Sequence, residues 1–149
     1  MYEYRAKILK IVDGDTVDVD IDLGFSIVLS NERVRIMGID TPESRTSDRV
    51  EKVFGLASKH RLQELLGTTA ILRTKVSKSG EDMKGKFGRV LGDFIVGDST
   101  VTKILIEEGH AVAYHGQNKS DVQEAHLKNR ARLIAEGLVT QQQLDEAVK

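Results

Sequence analysis

Between residues 17 and 23 the apolar side chains Val17, Val19, Ile21 and Leu23 alternate with Asp18, Asp20 and Asp22. A period of two is that of a strand with one apolar and one acidic face. An earlier run around Ala6, Ile8, Ile11 and Val12 predicts a first strand that stops at Asp13-Gly14-Asp15. Gly24 ends the alternating strand, and Phe25 to Leu29 predicts another, followed by a turn at Ser30-Asn31-Glu32. Val34 and Ile36 then alternate with Arg33, Arg35 and Met37 in a further strand.

After Pro42 the period changes. Asp48 is a suitable N-cap for a helix to about Leu66, stopped by Gly67, with Val50, Val53, Phe54, Ala57, Arg61 or Leu62, and Leu65 following the 3.6-residue period of one face. Strands are expected over residues 69–76 and 89–96, separated by a polar, glycine-punctuated loop from Ser77 to Lys86. A short helix over Thr100–Glu108 ends at Gly109, and residues 111–114 are extended. Ser120 with Gln123 suggests a capping box for a long helix whose stripe is Leu127, Ala131, Ile134 and Leu138. Gly137 breaks that helix, and Thr140 with Gln143 starts another short one. Strands first and helices after, without repeat or linker, predict one domain over residues 1–149. Its class is α+β, mainly β: a small barrel with about three packed helices.

Composition narrows this picture. The 149 residues are 40% hydrophobic with one proline, which argues against disorder. No apolar run approaches the ~20 residues of a membrane span, and the start has no signal-like apolar segment. A cytoplasmic location and no membrane partner are therefore expected. The absence of cysteine excludes disulfides, thiolate metal sites and a cysteine nucleophile. Net charge is −1, unlike a protein that binds polyanions by bulk charge, yet the charges are segregated. Residues 1–43 carry five basic and nine acidic side chains, whereas residues 44–92 carry eleven and five. A nucleic-acid partner needs only such local positive charge.

Three segments concentrate the chemistry: Asp13-Gly14-Asp15-Thr16, the run from Arg33 to Glu43 ending Gly38-Ile39-Asp40-Thr41-Pro42-Glu43, and Lys86-Phe87-Gly88-Arg89. In this order and at these separations they resemble the staphylococcal nuclease family, from about residue 7 to Tyr114. The resemblance implies a five-stranded OB-type barrel and calcium-dependent cleavage of DNA and RNA. It also implies Asp15, Asp40 and the main-chain carbonyl of Thr41 as ligands of Ca2+, with Asp13 in an outer shell. Glu43 would act on the attacking water, Arg35 and Arg89 would hold the phosphate, and Lys86 and Tyr114 would contact the nucleotide.

Elementary chemistry agrees with those roles. Calcium prefers carboxylate and carbonyl oxygens, guanidinium matches a phosphate in a bidentate fork, and Pro42 disfavours a helical Thr41. Asp18, Asp20 and Asp22 share one strand face and are expected to be solvated rather than metal-binding. His60, His110, His115 and His126 form no zinc pattern, and solvated or packing roles are expected. Phe87 and Gly116 stand where the family often has tyrosines, so substrate affinity or end preference is expected to differ. The expected function is a monomeric calcium-dependent nuclease; the alternative is a non-catalytic OB-type module that binds nucleic acid or protein. A calcium sensor is disfavoured because there is no EF-hand loop.

Overall fold

The computed structural model describes residues 2–75 and 88–149. Three strands open the chain: β1 (Glu3–Asp13), β2 (Thr16–Gly24) and β3 (Ile27–Ile36). Then come β4 (Ile39–Asp40), α1 (Arg49–Leu66), β5 (Thr69–Thr74) and β6 (Val90–Val96). The chain continues through β7 (Ser99–Thr100), α2 (Val101–Glu107), β8 (Val112–Ala113), α3 (Lys119–Ala135) and α4 (Gln141–Ala147). The main sheet runs β3-β2-β1-β5-β6, antiparallel throughout, and closes where β3 pairs with β6 in parallel. The result is a five-stranded barrel, with β7 added at the β6 edge and β4–β8 a separate two-stranded pair.

The alternation of β2 explains the barrel interior. Val17 and Val19 are fully buried, Ile21 nearly so, and Val34, Ile36, Leu72 and Phe94 meet them from the other strands. Leu62 and Leu66 of α1 and Val101 and Leu105 of α2 join this core. A second, smaller cluster of Phe54, Leu133 and Val139 fastens α3 and the segment before α4 onto α1. Asp48 caps α1 as expected, its carboxylate accepting from the amides of Val50 (3.1 Å) and Glu51 (3.0 Å), and Gly67 ends it in a left-handed conformation. No helix among the described residues is long and apolar enough to cross a membrane.

Three details depart from the sequence pattern. The two strands expected around Ser30-Asn31-Glu32 are one strand, β3, because Asn31 takes a left-handed conformation (φ 53°) and donates its amide to the Asp20 carboxylate at 2.8 Å. A register shift against β2 absorbs the extra length there, so the residues that read as a turn form a bulge. The long helix starts two residues earlier than Ser120 would place it: Asn118 is the N-cap, accepting from the Asp121 amide at 2.9 Å, while Ser120 donates to Asn118. Its stripe is also rotated. Leu127, Ala131, Ile134 and Leu138 are all exposed, and His126 and Leu133 are buried instead. The loop expected over residues 77–86 lies outside the described residues.

Asp18, Asp20 and Asp22 are used locally. Asp18 binds Arg33 in a two-point ion pair (2.9 and 3.2 Å), and Asp22 accepts from the Gly24 amide at 2.8 Å. Elsewhere, Arg61 of α1 forks onto Glu108 at the end of α2 (2.7 and 2.9 Å). His110 is buried beside this pair, and Ser58 donates to its carbonyl at 2.7 Å.

Two predictions follow from this packing. At Gly55 an added Cβ would lie 2.1 Å from the Glu43 carbonyl oxygen, so Gly55→Ala must push α1 away from residues 43–44. We expect a loss of about 2–3 kcal/mol in urea unfolding, and an unchanged midpoint would contradict the contact. The second concerns acid. Hydrogen bonds from Arg61 hold the Glu108 carboxyl below its ordinary value, and burial pushes the His110 imidazole below its own. Both groups therefore bind protons more readily in the unfolded chain, and stability falls on acidification. The His110 contribution is complete above about pH 6.5 and is lost below it; that of Glu108 is complete above about pH 4.5. Urea midpoints measured against pH should lose the upper limb in His110→Phe and the lower limb in Glu108→Gln.

Candidate functional site

One end of the barrel gathers the ends of β1, β2, β3 and β4 around a cavity of about 240 Å³. It is lined by Asp13, Asp15, Thr16, Arg35, Asp40, Thr41, Pro42, Glu43 and Arg89. Asp13 ends β1 and Asp15 sits in the turn before β2. That turn can press against its neighbours because residue 14 is glycine: a Cβ there would lie 2.8 Å from Ser58 and 3.1 Å from Thr41. Arg35 enters from β3, and Arg89 directly precedes β6, the strand paired in parallel with β3.

The hydrogen bonds fix most of these groups. Asp15, nearly buried, accepts from the Thr16 hydroxyl at 3.0 Å and the Thr41 amide at 3.3 Å. The Arg35 guanidinium lies 3.5 Å from the same carboxylate and donates to the carbonyls of Ile36 and Ile39, the latter at 2.8 Å. The backbone joins in, with the Ile36 amide bonding the Asp15 carbonyl at 2.8 Å. Asp13 is held by Ser44, whose amide (3.2 Å) and hydroxyl both donate to it while the hydroxyl also reaches the Val12 carbonyl. The buried carboxylates are thus supplied with donors, as their desolvation demands.

Asp40 is held differently. β4 pairs with β8, placing Asp40 opposite Val112. From α3 the buried His126 brings its Nε2 to 2.7 Å from one Asp40 oxygen. Asn129, three residues along the same helix, donates to the Ala111 carbonyl at 3.2 Å. Helix α3 therefore braces both the carboxylate and the strand behind it. Glu43 lies in an exposed position; its amide donates to Glu51 in the first turn of α1 at 3.0 Å, and its carboxylate makes no hydrogen bond or ion pair with any described residue.

The cavity is a field of hard oxygen donors flanked by guanidinium. Asp15, Asp40 and the carbonyl of Thr41 are of the kind a calcium or magnesium ion selects. The buried hydroxyl of Thr41 has no hydrogen-bond partner among the described residues, which leaves an unsatisfied oxygen in the wall. Those residues contain no cluster of three or more acidic, histidine or cysteine side chains able to enclose a metal. The donors therefore suit an open site, where water or substrate oxygens complete the shell, rather than a closed cage.

Of the candidates from sequence, Asp13, Asp15, Arg35, Asp40, Thr41, Glu43 and Arg89 line this one cavity. Tyr114 lies outside it, in an adjoining groove that also contains Arg35, Asp40, Thr41 and Glu43. Lys86 and Phe87 lie outside the described residues. Three supporting residues escaped the sequence reading. Ser44 and Glu51 left a faint signal, an acid in the first turn of a helix and a hydroxyl beside a charged motif. His126 left none, since only the tertiary rotation of α3 carries it to Asp40.

The brace can be measured. With the pair isolated by a double-mutant cycle, His126→Leu and Asp40→Asn should show a coupling energy of about 1 kcal/mol in urea unfolding. Strictly additive effects would mean that the contact contributes nothing to the fold.

Comparison with known proteins locates this geometry. Over 146 residues the chain is 29% identical to the micrococcal nuclease of Shigella flexneri, covering 91% of this chain and 74% of that protein. It is 31% identical over 104 residues to the thermonuclease of Staphylococcus intermedius, covering 70% of this chain and 56% of that one. It is 29% identical over 147 residues to the SPbeta prophage-derived endonuclease YokF of Bacillus subtilis (strain 168), covering 93% and 47%. The chain thus spans about three quarters of the first relative and about half of the other two. The family model described as staphylococcal nuclease homologue matches residues 33–138, a span that includes Arg35, Asp40, Glu43 and Arg89, and the chain belongs to that family.

Proposed function

We propose that this protein is a calcium-dependent nuclease that hydrolyses phosphodiester bonds of DNA and RNA. The observation that carries the reading is the single cavity lined together by three aspartates, a glutamate and two arginines from separate elements. The nuclease names of the relatives support it.

Asp15, Asp40 and the Thr41 carbonyl would hold the calcium ion, with Asp13, tied to Ser44, behind them. When bound there, the ion supplies Lewis-acid polarisation of a phosphate oxygen and neutralises carboxylate charge. The remaining work falls to side chains of this chain. Arg35 and Arg89 donate to the non-bridging phosphate oxygens, where negative charge builds as phosphorus becomes five-coordinate. Arg35 is already aimed by its bonds to the carbonyls of Ile36 and Ile39, so little reorganisation is needed. Glu43, with its carboxylate unengaged, orients a water molecule and takes its proton as the water oxygen bonds to phosphorus. The phosphorus–oxygen ester bond opposite breaks, and the leaving oxygen takes a proton from solvent.

Glu43→Gln and Arg89→Ala should each lower the cleavage rate by at least ~10²-fold. The assay is product analysis on single-stranded DNA, duplex DNA and RNA, with calcium and with EGTA. Calcium at about a hundred times its dissociation constant should also stabilise the protein by about 2.7 kcal/mol, and Asp40→Asn should abolish that gain. Cleavage in EGTA at the calcium rate would overturn the metal assignment. Wild-type rates in both variants would overturn the catalytic one.

A further inference from the structure

Helix α3 is oriented against its own hydrophobic pattern. Its apolar residues Leu127, Ala131 and Ile134 face solvent, although a surface helix normally turns such a stripe inwards. The residues of α3 that border the adjoining groove are mostly polar: Lys119, Gln123, His126 and Arg130, at spacings of four, three and four, with Val122 among them. They form one wall of a groove of about 450 Å³ that shares Arg35, Asp40, Thr41, Pro42 and Glu43 with the catalytic cavity. From Lys119 to Arg130 the wall is about 16 Å long at 1.5 Å per residue. That is several nucleotides of a strand rising about 3.4 Å each.

Arg130 is the group with chemistry to spare. Its guanidinium carbon lies over the buried Phe54 ring, 5.3 Å from the centroid. Its Nε is buried without a hydrogen-bond partner among the described residues. Arg61, Arg73 and Arg132 each meet a carboxylate at 2.7–3.0 Å; Arg130 meets none among the described residues, although Glu51 lines the same groove. A buried guanidinium N–H left without an acceptor is costly. A planar guanidinium anchored over an aromatic ring and unpaired with any described carboxylate is suited to a phosphate oxygen.

We propose that the groove along α3 carries the nucleic-acid strand away from the scissile bond, and that Arg130 binds a backbone phosphate beyond it. The inference rests on the nuclease reading above and adds a subsite to it. The exposed Tyr114, which also lines the groove, supplies a stacking surface without selecting a base.

The test compares two substrates. One is a nitrophenyl ester of a thymidine phosphate, with a single phosphodiester; the other is a single-stranded oligonucleotide of eight residues. Arg130→Gln keeps much of the stem that packs on Phe54 and removes the charge. The ratio of kcat/KM for the oligonucleotide to that for the ester should fall about tenfold, with the loss in KM. Arg130→Lys should recover part of it. The slope of log affinity against log salt for the oligonucleotide should shrink by about 0.7, one single-strand phosphate contact. An unchanged ratio, or an equal loss on both substrates, would overturn the subsite and leave the nuclease reading standing. If the wild-type protein cleaved neither substrate, the nuclease reading would fail. Fluorescence anisotropy of the labelled oligonucleotide would then decide the groove: weaker binding by Arg130→Gln supports it, equal binding overturns it.

Discussion

Three residues of parallel pairing, Val34–Ile36 against Val90–Gly92, close the barrel, and the cavity depends on that closure. Every other pairing in the main sheet is antiparallel and joins strands that are neighbours along the sheet's open order. The seam alone brings β3 to β6. It sets Arg35 opposite Leu91 and carries Arg89, just before β6, to the same end of the barrel. Gly92, at the end of that seam, also lets β6 lie close against β5, since a Cβ there would lie 2.7 Å from the Arg73 carbonyl oxygen. A sheet that stayed open would keep its hydrophobic alternation but hold the two arginines on opposite edges.

Around this frame the problem is negative charge. Asp13, Asp15, Asp40 and Glu43 share one small space, and like charges drawn together in a partly desolvated site repel strongly. Each aspartate is answered by a different element: Asp13 by the segment after Glu43, Asp15 by Thr16, the Thr41 amide and Arg35, and Asp40 by α3. Because the donors come from far along the chain, the carboxylates are oriented only once the whole fold has formed.

How much of this was legible in the sequence follows from the range of the interactions. The alternation of Val17, Val19 and Ile21 with three aspartates marked β2 because a strand's faces are set by its own residues. Asp48 and Gly67 bounded α1 because caps act within one turn. The turn expected at Ser30-Asn31-Glu32 failed for the opposite reason: an aspartate on the neighbouring strand captures the Asn31 amide and converts a break into a bulge. The stripe of α3 misled more deeply. Periodicity showed that Leu127, Ala131, Ile134 and Leu138 share a face, but not which way the face turns. Leu133 packing with Phe54 and Val139, and His126 bonding to Asp40, rotated the helix. The motif residues Asp15, Arg35, Asp40, Glu43 and Arg89 could be singled out in advance, whereas Ser44, Glu51 and His126 owe their places to contacts between distant segments.

The hairpin joining β2 to β3 turns through Phe25 and Ser26, both left-handed (φ 52° and 63°), with Phe25 wholly exposed at its tip. Asparagine and glycine fill such a turn at far lower conformational cost. The tip stands beyond the barrel core and lines neither the cavity nor the groove. This corner therefore holds an unused reserve of stability. It is the place where the chain can be lengthened, shortened or rewritten while the carboxylates and arginines keep their positions.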